Sequence, residues 1–559
     1  MRAEYLLDGI QYELIRGSLE VEVCDITDDS RQVSRGAVFV CMPGPVTDGH
    51  IFIGDAIRRG AAGIIVTCGE IACKQDVTCE IDNDATKYSD IGLESDVASS
   101  ENGDLNDFFV AKLPDWKNAV GRLCNNFWNF PSRKMKVIAV TGTKGKTTVA
   151  YMMKKVLDTW GCCTGLIGTI EIYDGHTSVQ SVNTTPDVIT LYRTMYRMVQ
   201  NGVRYCVMEV SSQGLKYGRV SGVDFDVGIF TNISPDHIGV NEHKTFEEYV
   251  RCKGILFSKC SHVVVNIDDM YMQSVCGALT CFGADKSENC PVIGYSLDHH
   301  SKIYYDKSIR HMPVCSGLMH FPVCTADKLR EVIGESFVGT ECECTMPDGK
   351  ITKLRVGLPG SFNVYNALAV VAASDILKIP RSIVCEALAE VNVRGRMEKV
   401  NVSDAFNVYI DYAHNRKSLE TALATLRTYC TGRLICIFGC GGDRARGRRA
   451  GMGNASGMLA DLTIITNDNP RSESPDTIIN DIEKGLRSVN AEYIRVPDRK
   501  EAIRYGLTHA KAGDVVLLAG KGHETYQEID GYRFHMDERE LITQILEEED
   551  AGVICGRDN

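Results

Sequence analysis

Short apolar runs alternate with stretches of helical period through the middle of the chain. "VIAVTG", "GLIGTI", "YCVMEV", "VGIFTNIS" and "HVVVNID" each read as a buried strand, with helical patterns between several of them. This alternation predicts a mostly parallel sheet with helices over its faces. Ahead of Val137 the strand-like pieces are shorter: "VEVCDIT", "AVFVCM" and "AGIIVT", with the helix-like "FIGDAIRRGA" preceding the last. A third set follows "VRGRMEKV" at 393–400 and comprises "NVYIDYA", "LICIFGCGG", "LTIITND", "EYIRVP" and "DVVLLAGKG". Between the second and third sets, residues 268–350 break the alternation with short Cys-, Gly- and Asp-containing pieces, which predict a strand-rich elaboration of the middle domain. The pattern therefore predicts an α/β protein of three domains, at 1–134, 135–393 and 394–559. Its middle domain is a mostly parallel sheet and its last is Rossmann-like. A chain of 559 residues has the length for three cores. No tandem repeat of solenoid period is present.

Several strands of the third set end in small or polar residues that open a loop. In open α/β sheets the ligand crevice lies outside the carboxyl ends of the strands. "DYAHN", "GCGGDR", "NDNPR" and "GKGHE" are thus expected on one rim.

Charge changes the picture in one place. Of a formal net charge of −13, much sits between Asp76 and Asp107, where ten acidic residues meet one lysine, Lys87. The segment 70–108 has no sustained period and reads as a solvated insertion. Elsewhere the chain is close to balanced, which argues for small anionic ligands over nucleic acid, with "DRARGRR" at 443–449 as a basic spot. The 23 cysteines are scattered and form no C-x-x-C pair, so neither a disulfide scaffold nor a zinc site is expected. Acids interrupt the N-terminal apolar stretch, and no run approaches the roughly twenty apolar residues of a membrane span. The reading is a cytoplasmic protein with reduced thiols and no membrane partner.

The chemistry begins at "VTGTKGKTT", between a strand and a helix. Gly142, Thr143, Lys144, Gly145, Lys146, Thr147 and Thr148 form a compact glycine loop, shorter than the usual phosphate loop, whose first glycine position is occupied by Val140. Backbone N–H groups there suit nucleotide phosphates, with Lys146 on the β/γ oxygens and Thr147 on Mg²⁺. Glu209 ends one apolar strand and His237 follows another, a carboxylate and an imidazole able to hold a divalent cation. Lys253 lies among Tyr249, Leu256 and Phe257 at helical spacing. Spacing alone sends its ammonium to solvent.

The ordered set "DDSRQVSRGAVFVCMPG", "DGHIFI", "VTGTKGKTT", "NTTPD", "MEVSSQGL", "NISPDHIG", "EYVRCKGILF", "LPGSFNVYNALAV", "GRMEKV", "DYAHN", "GCGGDRARGRRAGMG", "NDNPRSESP" and "GKGHETYQ" resembles the Mur ligase family, ATP-dependent amide-forming enzymes of peptidoglycan synthesis. Within the family it is most similar to the members that add the third residue of the peptide. The resemblance covers nearly the whole chain. It implies that the loop binds ATP, that the γ-phosphate passes to a substrate carboxylate, and that an incoming amine displaces phosphate from the acyl phosphate. It further implies a carbamylated Lys253 that helps bind a second Mg²⁺, with Glu209 and His237 as metal contacts. Asn363 and Asn366 are implied on the adenine side, with Arg396, His414 and Asp411 at the nucleotide.

By the same resemblance the first domain binds UDP through Ser30 and His50. Thr184, Thr185, Ser211 and Arg219 hold the muramyl peptide, where charge-assisted bonds to carboxylate are the strong ones. Asp468, Asn469, Pro470 and Arg471, with Arg444, Gly520 and Glu524, form the amino-acid pocket. Members using meso-diaminopimelate carry an arginine after the proline, so Arg471 is expected to clamp the distal carboxylate and Glu524 to face the distal ammonium. The implied partners are a UDP-muramyl dipeptide and a diamino acid, on a monomer.

The chain departs from the family pattern at Gln213, where histidine is common, and at Asn415, Arg416 and Lys417, where Thr-Pro-Asp is usual. "SPDHIGVNEH" also differs from the commoner Arg-Asp-His-Leu form. Alternatives are the same ligase using L-lysine or another diamino acid, a divergent paralogue, and a nucleotide-binding switch without ligase turnover. "DSR", "DGH" and "DNPR" disfavour a folylpolyglutamate or cyanophycin synthetase.

Overall fold

The computed structural model describes residues 1–43, 48–67, 108–235, 238–239, 242–272, 274–275, 291–297, 322–333 and 337–556. The acidic segment and His237 lie outside the described residues. The chain divides into two compact units. One is built from Met1–Lys146 and Gly161–Ile293; the other takes Thr147–Trp160, the described part of Gly294–Tyr304, and Pro322–Asn559.

The first unit opens with strands β1 (Glu13–Gly17), β2 (Asp25–Thr27), β3 (Ala37–Cys41), β4 (Gly63–Thr67) and β5 (Phe109–Leu113), in spatial order β1-β5-β4-β3-β2. All neighbours are parallel except β1 with β5. Every residue of β3 and β4 is buried, as expected of parallel strands covered on both faces. Val38 and Val40 pack with Val120, Leu123 and Trp128 of the helix Trp116–Trp128. Phe39 and Cys41 point the other way, against Ile53 and Ala56 of the helix Ile53–Arg58. The period of two along the strand thus sorts the core into its two faces.

The same unit continues with β6 (Lys136–Thr141), β7 (Thr164–Ile167), β8 (Glu171–Tyr173), β9 (Ser178–Gln180), β10 (Tyr205–Glu209), β11 (Phe225–Phe230) and β12 (Cys260–Asn266). Their order is β12-β11-β6-β10-β7-β8-β9, parallel as far as β7, with β8 and β9 added antiparallel. Each strand read from an apolar run in this stretch is present. The helix Phe246–Gly254 ends earlier than the spacing suggested: Ile255 follows it and Phe257–Lys259 is a 3-10 turn, so Leu256 and Phe257 are buried beyond the helix end.

In the second unit, β13 (Val292–Ser296), β14 (Val323–Ile333), β15 (Val338–Thr345) and β16 (Ile351–Val356) lie side by side in order. β13 and β14 are parallel and the rest antiparallel. The expectation of a strand-rich segment within 268–350 holds in its described part, although these strands group with the second compact unit. The last sheet contains β17 (Glu398–Val400), β18 (Asn407–Asp411), β19 (Leu434–Phe438), β20 (Leu462–Ile465), β21 (Tyr493–Arg495) and β22 (Val515–Ala519), ordered β17-β18-β22-β19-β20-β21. Only β17 is antiparallel. A hairpin of β23 (Tyr526–Ile529) and β24 (Tyr532–His535) follows.

Arg499 is the hidden fastener of this sheet. It is 1% exposed and pairs at 2.7 Å with Glu538, which is fully buried, while donating to the carbonyls of Asn467 and Ala519. Those carbonyls lie at or just past the carboxyl ends of β22 and β20, so the pair fixes the rim from behind. Stripping one partner of such a pair costs about 3–5 kcal/mol, because a buried charge loses its counter-ion. Arg499→Met is therefore expected to lower the melting temperature sharply in calorimetry, and the double change Arg499→Met/Glu538→Leu to recover at least half of the drop.

Candidate functional site

The glycine loop is held by β11's end. Gly142 has φ +150°, and a Cβ there would fall 1.9 Å from the Thr231 hydroxyl, so only glycine permits this approach. The Thr143 amide donates to the Asn232 carbonyl at 2.8 Å, and the Lys144 amide to the Asn232 side chain at 2.9 Å. Thr231 Oγ1 and Asn232 Nδ2 return bonds to the Lys144 carbonyl at 2.6 and 3.0 Å. Thr147 and Thr148 are buried in the first turn of the helix Lys146–Thr159.

Two lysines converge on one oxygen. Lys146 Nζ donates to the Gly142 carbonyl at 2.9 Å and Lys253 Nζ donates to it at 2.7 Å. Lys253 is 1% exposed, with its Nζ 4.7 Å from the centre of the Tyr249 ring, whose hydroxyl lies 2.9 Å from Thr143 Oγ1. Spacing had sent this lysine to solvent. The structure corrects that, because the helix carrying it docks against the loop.

Glu209 stands opposite Val140 in the parallel pairing of β10 with β6, two residues short of Gly142. It is fully buried and accepts from the Thr169 amide at 2.8 Å and the Thr169 hydroxyl at 3.0 Å. That hydroxyl lies 3.0 Å from Thr184 Oγ1. Thr185 Oγ1 donates toward the Glu209 carbonyl and accepts from the Ser211 amide, and Arg219 donates to the Thr185 carbonyl at 2.9 Å. Ser211 caps the helix Ser212–Lys216 by accepting from Gly214. Thr184, Thr185, Glu209, Ser211 and Arg219 are thus one connected network, which joins the four residues grouped in the sequence to Glu209, read there as a metal contact. Thr169 joins it unforeseen; its only signal was its place after the strand "GLIG".

In the first domain Ser30 is buried at the start of a short 3-10 turn capped by Asp29. His50 Nδ1 lies 2.5 Å from the Asp48 carboxylate, and the Thr67 amide points at Nε2 from 3.3 Å. Between them in interest is Asp28. Burial, and then the negative charge of Asp187, raise its carboxyl to about 7, against the opposing pull of Arg193. Asp187 caps the helix Val188–Gln200, and Arg193 on that helix pairs with Asp25 at 3.2 Å.

Among the described residues the groups able to gather round a cation include His243, Glu248 and Cys252. Lys216 already fills the cationic role there, 2.9 Å from the Glu248 carboxylate.

The four rim loops of the second unit meet as expected. Asn469 is the hub: its Nδ2 donates to Glu524 at 2.8 Å, its Oδ1 accepts from Lys521 Nζ at 3.0 Å and the Glu528 amide at 2.9 Å, and its carbonyl accepts from Gly442. Gly520, at φ +112°, would place a Cβ 2.6 Å from the Asp468 carboxylate. Pro470 is buried beside Asn469. Arg471, in the left-handed region at φ +52°, donates from Nε to Glu528 at 3.1 Å and from Nη1 to the Gly442 carbonyl at 2.7 Å. Glu524 also receives Lys521 Nζ at 3.1 Å and the Tyr412 hydroxyl at 3.4 Å. Arg444 stands exposed on the loop after β19.

The nucleotide-side candidates surround Tyr412. Arg396 lies 4.9 Å from its ring, and His414 and His523 pack against it at 4.7 and 4.8 Å. Burial and the guanidinium groups of Arg396, Arg539 and Arg394 push His523 down to about 3, so it is a neutral ring at physiological pH. Asp411 accepts from the Met397 amide at 2.7 Å, and burial raises its carboxyl although Arg396 opposes this. Asn363 and Asn366 are buried on the helix Ser361–Ile376 and bonded to each other at 3.1 Å. The unusual Asn415 forms a capping box with Ser418, and Arg416 pairs with Glu420 at 2.7 Å, so the departure leaves a well-formed helix start. Lys521, Glu528, Tyr412 and His523 escaped the sequence reading as site residues.

Residues 140–374 match the Mur ligase middle domain, 395–522 the Mur ligase glutamate ligase domain, and 23–100 the Mur ligase family catalytic domain. The chain is 36% identical over 97% of its length, and 99% of the relative's, to the UDP-N-acetylmuramoyl-L-alanyl-D-glutamate–2,6-diaminopimelate ligase of Clostridium perfringens (strain 13 / Type A). It is 35% identical over 98% of its length, and 99% of the relative's, to the ligase of the same name from Caldanaerobacter subterraneus subsp. tengcongensis. A solved structure of a ligase of that name shares the fold at a TM-score of 0.62 and 24% identity, covering 98% of this chain and 99% of the other.

Asp28 yields a pH dependence with a definite sign. Between its unfolded value of 3.8 and its folded value of about 7, the native state holds a proton that the unfolded chain has released. Stability therefore falls as pH rises through that window and levels off above it. Asp28→Asn is expected to match the parent's melting temperature near the bottom of the window and to exceed it by a few degrees at pH 8.

Proposed function

The chain belongs to the Mur ligase family, and from that premise we propose that it joins meso-diaminopimelate to the D-glutamyl carboxylate of UDP-N-acetylmuramoyl-L-alanyl-D-glutamate, as an ATP-dependent ligase of peptidoglycan synthesis of the MurE type. The observation that carries the choice of amine is Arg471 on the same rim as Glu524, a guanidinium and a carboxylate for the two distal groups of diaminopimelate. L-lysine has no distal carboxylate for that guanidinium.

On this reading residues 1–134 hold the UDP sugar through Ser30 and His50, 135–393 hold ATP, and 394–559 hold the amino acid. Thr184, Thr185, Ser211 and Arg219 bind the muramyl peptide. A D-glutamyl oxygen attacks the γ-phosphorus of ATP and ADP leaves. The amine nitrogen then attacks the acyl carbon, the carbon–oxygen bond to phosphate breaks, and nitrogen loses a proton as inorganic phosphate departs. Lys146 and the amides of Thr143–Thr148 neutralise charge on the phosphates. Thr147 and Glu209 suit Mg²⁺, which would supply further neutralisation of the transferring group, and His237 is a further metal contact by resemblance alone. Hydroxyl and carboxylate oxygens are the ligands that hard cation takes.

Carbamylation of Lys253 fits its surroundings. Two ammonium groups on one carbonyl oxygen repel each other, and a carbamate keeps one N–H for Gly142 while replacing the positive charge with a negative one. The protein works as a cytoplasmic monomer.

The test is phosphate release from ATP with Mg²⁺, bicarbonate and the UDP-muramyl dipeptide, in the presence of meso-diaminopimelate, L-lysine or no amine. Turnover is expected with diaminopimelate alone. Arg471→Ala is expected to cut kcat/KM for diaminopimelate about a hundredfold or more, since a charge-assisted bidentate contact is lost. Release indifferent to dipeptide and amine would overturn the reading.

A further inference from the structure

Each group assigned to the distal end of the amino acid already has a partner of opposite charge. Arg471 Nε meets Glu528 at 3.1 Å, and Glu524 receives the ammonium of Lys521 at 3.1 Å. Lys521 is fully buried, a setting in which a lysine is retained only when paired. Its Nζ also donates to Asn469 Oδ1, and its charge lies 5.6 Å from the Tyr526 ring centre. Glu528 sits on β23 with its backbone bonded to both Asn469 and Arg471. Its carboxylate takes the Nε edge of the guanidinium and Gly442 takes one Nη1 hydrogen. The end-on Nη1/Nη2 edge, like the Nε edge, can present two parallel donors to a carboxylate.

The formal charges of these four side chains cancel. A pocket so balanced accepts without electrostatic penalty a head that is itself balanced, one carrying both an ammonium and a carboxylate. A head with an ammonium alone brings an uncompensated positive charge and leaves Arg471 with the Glu528 carboxylate it already pairs with.

We propose that Lys521 and Glu528, which need not touch the substrate, determine amine specificity by setting this balance: Lys521 disfavours a lone distal ammonium and Glu528 tempers the pull of Arg471 on a distal carboxylate. The inference rests on the amine pocket proposed above. It assigns opposite signs to the two residues. Losing Lys521 leaves a negative excess that favours lysine; losing Glu528 leaves a positive excess that favours diaminopimelate.

The experiment measures kcat and KM of the purified full chain for meso-diaminopimelate and for L-lysine, in the parent, Lys521→Met and Glu528→Gln. Glu528→Gln is isosteric at a partly exposed position and keeps the fold. Lys521→Met is checked by its melting temperature and paired with Lys521→Met/Glu524→Gln, which restores neutrality. The ratio of kcat/KM for diaminopimelate over lysine is expected to rise about tenfold in Glu528→Gln and to fall about tenfold in Lys521→Met, carried by KM with kcat little changed. The double variant is expected to lose the gain toward lysine. A ratio that moves the same way in both single variants, or stays put while both activities decline, overturns the inference. A parent that uses lysine in preference to diaminopimelate overturns instead the functional reading beneath it.

Discussion

The carbonyl oxygen of Gly142 is where the first unit's chemistry is fixed. Two lysine side chains from separate helices donate to it, and the loop presenting it is clamped by Thr231 and Asn232 at the end of the neighbouring strand. The clamp works because Gly142 has no side chain where the Thr231 hydroxyl stands. Parallel strands β6, β10 and β11 bring their carboxyl ends to one edge, so the loop meets a helix-borne lysine 111 residues away in the chain and a buried carboxylate ends the neighbouring strand. Moving any one of them would disturb the registration of the others.

The second unit reaches the same end by different means. Its rim is held by charge pairs and by Asn469, whose side-chain amide and carbonyl together bond to three segments. Where the first unit uses backbone closeness, this one uses buried ionic groups that are tolerated only because each is matched. On the function proposed above, the two solutions suit two kinds of ligand: phosphates sought by N–H groups and lysines, and an amino-acid head sought by side chains of both signs.

How far this was legible beforehand depends on how local each feature is. The strands around "VIAVTG" and "YCVMEV" announce themselves through continuous apolar runs, and the loops closing the last sheet's strands through glycine, asparagine and aspartate. Arg471 stands out because it follows "DNP". Lys521 did not: its neighbours in sequence are glycines, and its burial depends on Asn469, 52 residues away. Glu528 lies in a hairpin whose alternation reads as an ordinary solvated strand, and nothing local says that its carboxylate meets Arg471. Lys253 was misread for a related reason, since periodicity reports which face of a helix is apolar but not that another loop will cover the remaining one.

The pairing of Arg499 with Glu538 also bears on the order in which the protein is made. The arginine leaves the ribosome 39 residues ahead of its partner. Until Glu538 follows, the carboxyl ends of β20 and β22 have a fastener whose charge cannot be buried. Until then the guanidinium lacks its counter-ion, although strands β18 to β22 have all been made. The fastener of this rim is therefore completed only after every strand of the sheet has been synthesised.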